Sequence, residues 1–252
     1  MKYLRLILGV CALMLATFVN AAVGSTFTID DLTYTVLTEN ADNTTGTVSV
    51  KAKNKSIAGA IIIPESVRQD VNGVQYSYTV TRIAKDAFYN CPNVSTIEIP
   101  NSVTELVEQS FRDSYFKTVD LPTSITTIPK NCFQGSEIET ITLPSSITTI
   151  ADRAFRSCSK LTTVVLPENL TELKDYTFQD CSSLADITFN EHLQIIGSSV
   201  FYNCTSLTEI TFPASITTIE GAFYGCVNVK KLTINAVNPT ISKYIQMVWY
   251  NR

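Results

Sequence analysis

Residues 158–178 read CSKLTTVVLPENLTELKDYTF, a pattern that recurs along the chain. Its last residue has counterparts at intervals of 22 or 23 residues: Phe88, Phe111, Phe133, Phe155, Phe178, Phe201 and Phe223. A cysteine follows three residues after five of these: Cys91, Cys158, Cys181, Cys204 and Cys226. A fixed period of this length is typical of repeat proteins, in which each unit buries its apolar side only by stacking on a neighbour.

The first part of each unit is predicted to be a short strand. In residues 161–166, Val164 and Leu166 alternate with Thr163 and Val165. Because side chains alternate between the two faces of a strand, Val164 and Leu166 are expected inside, and Thr163 and Val165 on the outer face of a parallel sheet. The proline that follows ends the strand, since it has no N–H for the next ladder bond.

The second part of each unit is predicted to be another extended piece followed by a short turn. Residues 146–150 form such a piece, with both isoleucines facing inward. Ala154, Phe155 and Cys158 then follow at helical spacing. This spacing predicts one short turn of 3₁₀ or α-helix in each coil.

The repeat closely resembles that of the BspA-like leucine-rich repeat proteins, which share its I-x-L-P strand, its I-T-x-I step and its A-F-x-x-C close. The resemblance covers residues 61–234, with local departures such as Ser114 and Ser136 in place of the closing cysteine and Asn190 in place of the proline. It implies a curved, right-handed, β-rich solenoid on an exported or surface protein, often one that adheres to host or microbial partners.

The first residues are predicted to be a cleaved export signal. Lys2 and Arg5 precede an apolar run at residues 6–19, and small residues follow it. The run is shorter than the about 20 residues that a membrane-spanning helix needs. An ordinary buried N-terminal strand or helix is the alternative. We therefore expect a secreted or cell-surface protein with no transmembrane segment in its mature chain.

Both ends of the solenoid are expected to carry caps, because an open sheet edge needs cover. Asp30-Asp31 lies between two alternating segments and predicts a β-hairpin, while Asn72-Gly73 predicts a second hairpin within the first coil. Residues 241–249 carry apolar residues at helical spacing. The predicted organisation is a signal peptide at 1–21, an N-terminal β cap at 22–60, a solenoid of seven to eight coils at 61–235 and a C-terminal cap at 236–252.

Composition excludes several functions. His192 is the one histidine, so no second imidazole exists for a zinc site, triad or proton relay. A net charge of −4 without a basic cluster argues against nucleic-acid binding. Asp186 and Glu209 could lie side by side on adjacent strands, as in a retaining glycosidase, but no pocket is predicted around them. We expect no enzyme activity, no cofactor and no metal.

The cysteines allow two interpretations. Cys158, Cys181, Cys204 and Cys226 occupy one inward position in successive coils, so neighbours lie about 5 Å apart at the inter-strand spacing. The parallel side-chain directions favour buried free thiols that act as small apolar residues. At least one disulfide between neighbours is the alternative in an exported chain.

The outward strand positions are the candidate binding site. Extended concave surfaces are where solenoid proteins bind their partners. The concave strip predicted from the repeat register consists of Thr96, Glu98, Thr118, Asp120, Thr140, Thr142, Thr163, Val165, Asp186, Thr188, Glu209 and Thr211. We expect it to bind a protein or glycan, such as host extracellular matrix or another cell surface, in cell-surface adhesion.

Other interpretations of the strip remain. Threonine is favoured on any half-exposed strand, so the strip also fits a surface-display or spacer module without a ligand of its own. Aligned threonine rows suggest ice binding, although the Asp, Glu and Lys interruptions count against it. Saturable binding of a partner distinguishes recognition from a spacer.

Overall fold

The computed structural model describes residues 22–40 and 44–242. The expected signal at 1–21 and most of the expected C-terminal cap, from residue 243 onward, lie outside these ranges. Within them the chain forms short strands and turns, with no helix. In chain order the strands are β1 (Thr26–Ile29), β2 (Leu32–Glu39), β3 (Thr45–Ala52), β4 (Ala58–Ile62), β5 (Ser66–Val71), β6 (Val74–Ile83), β7 (Asn93–Glu98), β8 (Glu105–Leu106), β9 (Thr118–Asp120), β10 (Thr127–Ile128), β11 (Thr140–Thr142), β12 (Thr149–Ile150), β13 (Thr163–Val165), β14 (Glu172–Leu173), β15 (Asp186–Thr188), β16 (Ile195–Ile196), β17 (Glu209–Phe212), β18 (Thr218–Ile219), β19 (Lys231–Ile234) and β20 (Thr240–Ile241).

The repeats form a solenoid with two rows of parallel strands, as the sequence predicts. The first strand row contains β4, β7, β9, β11, β13, β15, β17 and β19, which pair as β4–β7, β9–β11, β13–β15 and β17–β19. The second strand row contains β8, β10, β12, β14, β16, β18 and β20. Its last four members form one continuous parallel sheet.

The predicted alternation of the first strand row is confirmed. Val164 lies opposite Ile187 in the β13–β15 pair, and both side chains are buried. The flanking Thr163, Val165 and Asp186 are exposed. In the second strand row the last residue of each strand from β8 to β18 packs inward, for example Ile150, which is fully buried. The apolar side of each coil is therefore covered by the next coil.

A column of phenylalanine rings runs through the core. Successive rings from Phe88 to Phe223 lie 5.2 to 6.0 Å apart and are nearly parallel. Each of these side chains is almost or completely buried. Offset ring stacking at this spacing is favourable beyond the apolar area that it buries. The 22–23-residue period thus places one ring in every coil.

The short helical turn expected in each coil is instead a series of overlapping β-turns. Around Phe155, the N–H groups of Ala154, Arg156 and Cys158 each donate to the carbonyl three residues earlier. Arg153 has a φ of 58° and Ser157 a φ of 60°. A left-handed residue cannot continue a right-handed helix, so these two positions break the helical path on both sides of the phenylalanine.

The same left-handed pair flanks the phenylalanine in every coil from Phe88 to Phe223. The residues two before it are Asp86, Gln109, Asn131, Arg153, Tyr176, Ser199 and Gly221, and the residues two after it are Asn90, Asp113, Gly135, Ser157, Asp180, Asn203 and Gly225. Asn, Asp and Gly adopt this conformation most readily. The turn segment is therefore as regular as the strands.

The N-terminal end is covered by a sheet in the order β1-β2-β3-β6-β5. Both predicted hairpins are present, with Asp30 at a φ of 51° in the first turn and Asn72 and Gly73 at 55° and 82° in the second. Positive φ at both central residues of the second turn matches the right-handed twist of hairpin strands.

The second hairpin joins the N-terminal sheet to the solenoid. β6 pairs in parallel with β3, and its last residues pair with β8 of the second strand row. The N-terminal sheet is thus continuous with that row. The proposed boundary between cap and solenoid at residue 60 falls within β4, which already pairs with β7.

Candidate functional site

The candidate residues lie together on one surface. We call it the strand face, meaning the outward side chains of the first strand row. All twelve residues of the predicted strip are exposed there. Their placement follows from the strand alternation, because the residue between each outward pair points into the core.

Backbone pairing aligns the strip in two columns. Thr140 lies opposite Thr118 and Thr142 opposite Asp120. One pair further along the chain, Thr163 lies opposite Asp186 and Val165 opposite Thr188. At the two ends, Thr96 and Glu98 face Ala60 and Ile62, and Glu209 and Thr211 face Lys231 and Thr233. The strand face is thus mainly hydroxyl groups, with carboxylates at intervals.

Two apolar side chains interrupt this polar surface. Ile62 and Val165 are each 64% exposed, although both belong to the apolar residues that proteins tend to bury. They lie in the same outward column, at the N-terminal end and near the middle of the strip. Single exposed apolar residues are common on protein surfaces, so neither marks a site by itself.

Ion pairs on and beside the strand face are weak. Lys231 Nζ lies 3.9 Å from a Glu209 carboxylate oxygen. Just before β9 and β11, Lys117 Nζ lies 2.8 Å from Glu139 Oε1. The hydrogen bond and charge of Glu139 raise the pKa of Lys117. These side chains are exposed, and exposed pairs contribute little to stability. These ion pairs therefore do little to hold the carboxylates in place.

The possible pair of catalytic carboxylates lies on an open surface. Asp186 and Glu209 occupy the same outward position in successive coils, opposite Thr163 and Lys231 respectively. Both are exposed. A carboxyl group needs a shielded environment to act as a general acid near neutral pH. This arrangement provides none around Asp186 and Glu209.

The six cysteines of the described residues are free and buried: Cys91, Cys132, Cys158, Cys181, Cys204 and Cys226. Burial raises the pKa of Cys226 to about 12, and it also raises the pKa of Cys181 and Cys204. A thiol with a raised pKa is a poor nucleophile, since the thiolate is the reactive form. These cysteines have a structural role.

The surface built by the β-turns was not identified from the sequence. We call it the turn face. Its central column consists of the residue that follows each core phenylalanine: Tyr89, Arg112, Gln134, Arg156, Gln179, Tyr202 and Tyr224. Backbone hydrogen bonds between successive coils fix the position of this column. The N–H of Ser157 donates to the carbonyl oxygen of Gln179, and the N–H of Asp180 donates to that of Tyr202, both over 2.7 Å. Aligning the repeats on phenylalanine would have revealed its composition.

His192 has the surface role that its position suggests. It is exposed, and its Nδ1 lies 3.2 Å from the Glu168 carbonyl oxygen of the preceding coil. Asn190 replaces the proline here, and its side-chain amide donates to the carbonyls of Pro167 and Leu170. The pair therefore ties two coils together.

Residues 22–40 and 44–242 contain no group of three or more His, Cys, Asp or Glu side chains that could hold a metal ion. The same ranges contain no helix with the length and apolar character that crossing a bilayer requires.

The chain is similar to several solved structures of bacterial proteins. The chain is 25% identical to the pneumococcal vaccine antigen PcpA, with a TM-score of 0.53 over 84% of this chain and 50% of that one. It is 21% identical to a T. pallidum leucine-rich repeat protein, with a TM-score of 0.54 over 72% of this chain and 90% of that one. A Bacteroides ovatus leucine-rich repeat protein is 23% identical, with a TM-score of 0.50 over 85% and 66%.

The chain spans two thirds or less of the length of two of these proteins, so their full activities do not transfer to it. No curated protein shows significant similarity to it. The model of the BspA type leucine-rich repeat region matches in six copies, over residues 67–183 and 126–247. Together these segments cover most of the chain. The protein therefore belongs to the BspA-type leucine-rich repeat family.

Proposed function

We propose that this protein is exported and binds a protein or glycan on the extracellular matrix or on another cell surface through its strand face, and so serves in adhesion. The observation that carries the proposal is the aligned exposure of two outward columns over successive strand pairs. An extended surface of this kind offers many contacts to one partner, as in other solenoid proteins.

The chemistry of the strand face supports a polar partner. Threonine hydroxyl groups both donate and accept hydrogen bonds, which suits backbone groups and sugar hydroxyls alike. Four carboxylates add negative charge: Glu98, Asp120, Asp186 and Glu209. At the equivalent outward positions of the first strand row, Lys231 is the one basic side chain. Ile62 and Val165 add apolar contact. Export follows from the N-terminal sequence, whose cleavage can be checked by sequencing the secreted protein.

The test replaces Thr140, Thr163 and Thr188 by lysine and measures binding to purified matrix proteins and cell-surface glycans. These threonines are exposed, so the fold should persist. An ammonium group without a partner is costly to bury in an interface, so binding should be lost.

The matched control makes the same substitution at Thr126, Thr148 and Thr171, which are exposed beside the second strand row. This variant should bind as the wild type does. If the control variant loses the partner and the strand-face variant keeps it, the proposal is wrong about the surface. If the wild type binds no member of the panel, a display or spacer role is the better interpretation.

A further inference from the structure

The turn of the second hairpin consists of an asparagine followed by a glycine. Val71 pairs with Val74 across the hairpin, so Asn72 and Gly73 alone form the loop. Asn72 is the one asparagine in the sequence that precedes a glycine. Asparagine is chemically labile, and a following glycine has no side chain that would hinder attack by its own backbone nitrogen. The loop is therefore a candidate site of covalent modification.

The groups that would react are open to solvent. Both loop residues are exposed, and a side-chain carbon added at Gly73 would meet no atom within 4 Å. The carboxamide of Asn72 has no hydrogen-bond partner among the described residues. By contrast, the carboxamides of Asn169, Asn203 and Asn228 each donate to a group of the preceding coil. The Asn72 side chain is thus free to approach the backbone.

The reaction that this pair allows is deamidation. The backbone nitrogen of Gly73 attacks Cγ of Asn72, so a new C–N bond forms. The bond from Cγ to the side-chain nitrogen breaks, and ammonia leaves with the proton of the attacking N–H. Water then opens the imide ring at one of its two carbonyl carbons. The products are aspartate at position 72 and isoaspartate, in which the chain runs through the side-chain carboxyl carbon.

One contact restrains this reaction. The N–H of Gly73 donates a hydrogen bond to Oδ1 of Asp70 over 2.9 Å. The nitrogen attacks only after it loses this proton, and a neighbouring carboxylate disfavours a second negative charge. The hydrogen bond also holds the nitrogen within the turn, where Asn72 and Gly73 have φ of 55° and 82°. Asp70 therefore slows the attack.

We propose that Asn72 is a deamidation site of the folded protein, and that the hydrogen bond from Gly73 to Asp70 sets its rate. Because the nitrogen must lose its proton, the rate should rise with pH. In the unfolded chain the hydrogen bond is absent, so deamidation should be faster there than in the folded protein. Water is the one co-reactant, so the reaction needs no enzyme.

The two products should differ in their effect on the hairpin. Aspartate tolerates positive φ, as Asp30 and Asp86 do in this chain, so this product should keep the turn. Isoaspartate adds one methylene group to the backbone of a two-residue loop, whose length sets the strand register. Hydrogen exchange in β5 should therefore rise as isoaspartate accumulates. The Asn72→Asp variant should show no such rise.

Peptide mapping of the purified protein after incubation at 37 °C and pH 7, 8 and 9 tests the proposal. The tryptic peptide 69–82 contains Asn72 as its one asparagine, and liquid chromatography with mass spectrometry separates the original from both products. Asn238 is the internal control. It is exposed and has a φ of 55°, but the nitrogen of Pro239 carries no proton to lose. Asn238 should stay intact while Asn72 is converted.

Asp70→Ala should raise the rate constant about three- to tenfold, because one charge-assisted hydrogen bond is lost. Asp70→Asn, which loses the charge but keeps the shape, should also accelerate the reaction. Glu65→Ala is the matched control, since it removes an exposed carboxylate that does not contact Gly73, and it should keep the wild-type rate. Circular dichroism checks that each variant folds.

Three results would overturn the proposal. The first is a folded wild type in which Asn72 stays intact while the denatured chain is converted. The second is an Asp70→Ala protein that reacts at or below the wild-type rate, which would mean that the carboxylate does not restrain the nitrogen. The third is an equal acceleration in Glu65→Ala, which would assign the effect to overall charge instead of the hydrogen bond.

Discussion

The thiol of Cys181 donates a hydrogen bond to the carbonyl oxygen of Phe155, one coil earlier, over 3.1 Å. The same carbonyl accepts the backbone N–H of Cys158 over 3.2 Å. Cys158, Cys204 and Cys226 make the equivalent thiol bond to the previous phenylalanine, at 2.8 to 3.1 Å. The closing cysteine therefore does more than fill space, because it satisfies the second acceptor site of a buried carbonyl.

We expect Cys181→Ala to lower the free energy of unfolding by about 1–3 kcal/mol, since it removes both buried volume and the hydrogen bond to Phe155. Cys181→Ser keeps a donor, and serine already closes two other coils at Ser114 and Ser136. The serine variant should therefore be the more stable of the two in a denaturant titration. The reverse order would show that a hydroxyl at this position does not replace the thiol bond.

The thiols of the described residues should be protected in the folded protein and free in the unfolded one. Each of the six is buried, and five already donate to a carbonyl. Exposed thiols are blocked first, and the remainder are counted in denaturant without reductant. Six newly exposed thiols are expected from residues 22–242. A count of four or fewer would indicate a disulfide between neighbouring coils.

Phe155 should be among the most sensitive core positions. Its ring stacks between Phe133 and Phe178, with both centroid distances 5.4 Å. Phe155→Ala should cost about 3–5 kcal/mol in denaturant unfolding, and Phe155→Leu should cost less. Because coils contact only their neighbours, hydrogen exchange should rise most in the two adjacent coils. A uniform rise along the chain would contradict this local coupling.

The phenylalanine spacing and the alternation around Val164 were sufficient to predict the coil, its inward residues and its parallel strands. The hairpins at Asp30-Asp31 and Asn72-Gly73 were also predictable, because their turn residues tolerate positive φ. These features depend on local sequence and on the repeat. The strip of candidate residues followed from the same register.

The turn segment was harder to predict for a physical reason. Ala154, Phe155 and Cys158 have helical spacing. The left-handed residues on either side of Phe155 are Arg153 and Ser157, and neither is a glycine that would have indicated positive φ. Other coils have glycine at these positions, as at Gly135 and Gly225. The parallel pairing of β3 with β6 was not predictable from local sequence, because it depends on contacts between distant residues.

Ser157 offers a test of the left-handed position. Its φ of 60° is costly for a β-branched side chain, so Ser157→Val should destabilise the protein by about 1–2 kcal/mol. Ser157→Gly should be neutral or stabilising, as Gly135 and Gly225 occupy the same position in other coils. Thermal unfolding of both variants checks this. Equal stability of the two variants would contradict the turn geometry.

The buried thiols should make the fold sensitive to alkali. Burial raises the pKa of Cys226 from 9.0 to about 12 and also raises the pKa of Cys132, Cys181 and Cys204. Above the unfolded pKa of about 9, the unfolded chain loses these protons while the folded chain keeps them, so stability must fall as pH rises. The contribution of these thiols to stability should be constant below about pH 8 and should decline as the pH rises toward their pKa in the folded protein.

Each such thiol should remove about 1.4 kcal/mol of stability per pH unit between about pH 9 and 12. Denaturant titrations at pH 7, 8, 9 and 10 measure the decline. Cys226→Ala is the control, because it lacks one of the titrating groups. Above about pH 9 its stability should fall less steeply than that of the wild type, by about 1.4 kcal/mol per pH unit. Parallel curves for the two proteins would mean that Cys226 is not protonated in the folded state at these pH values.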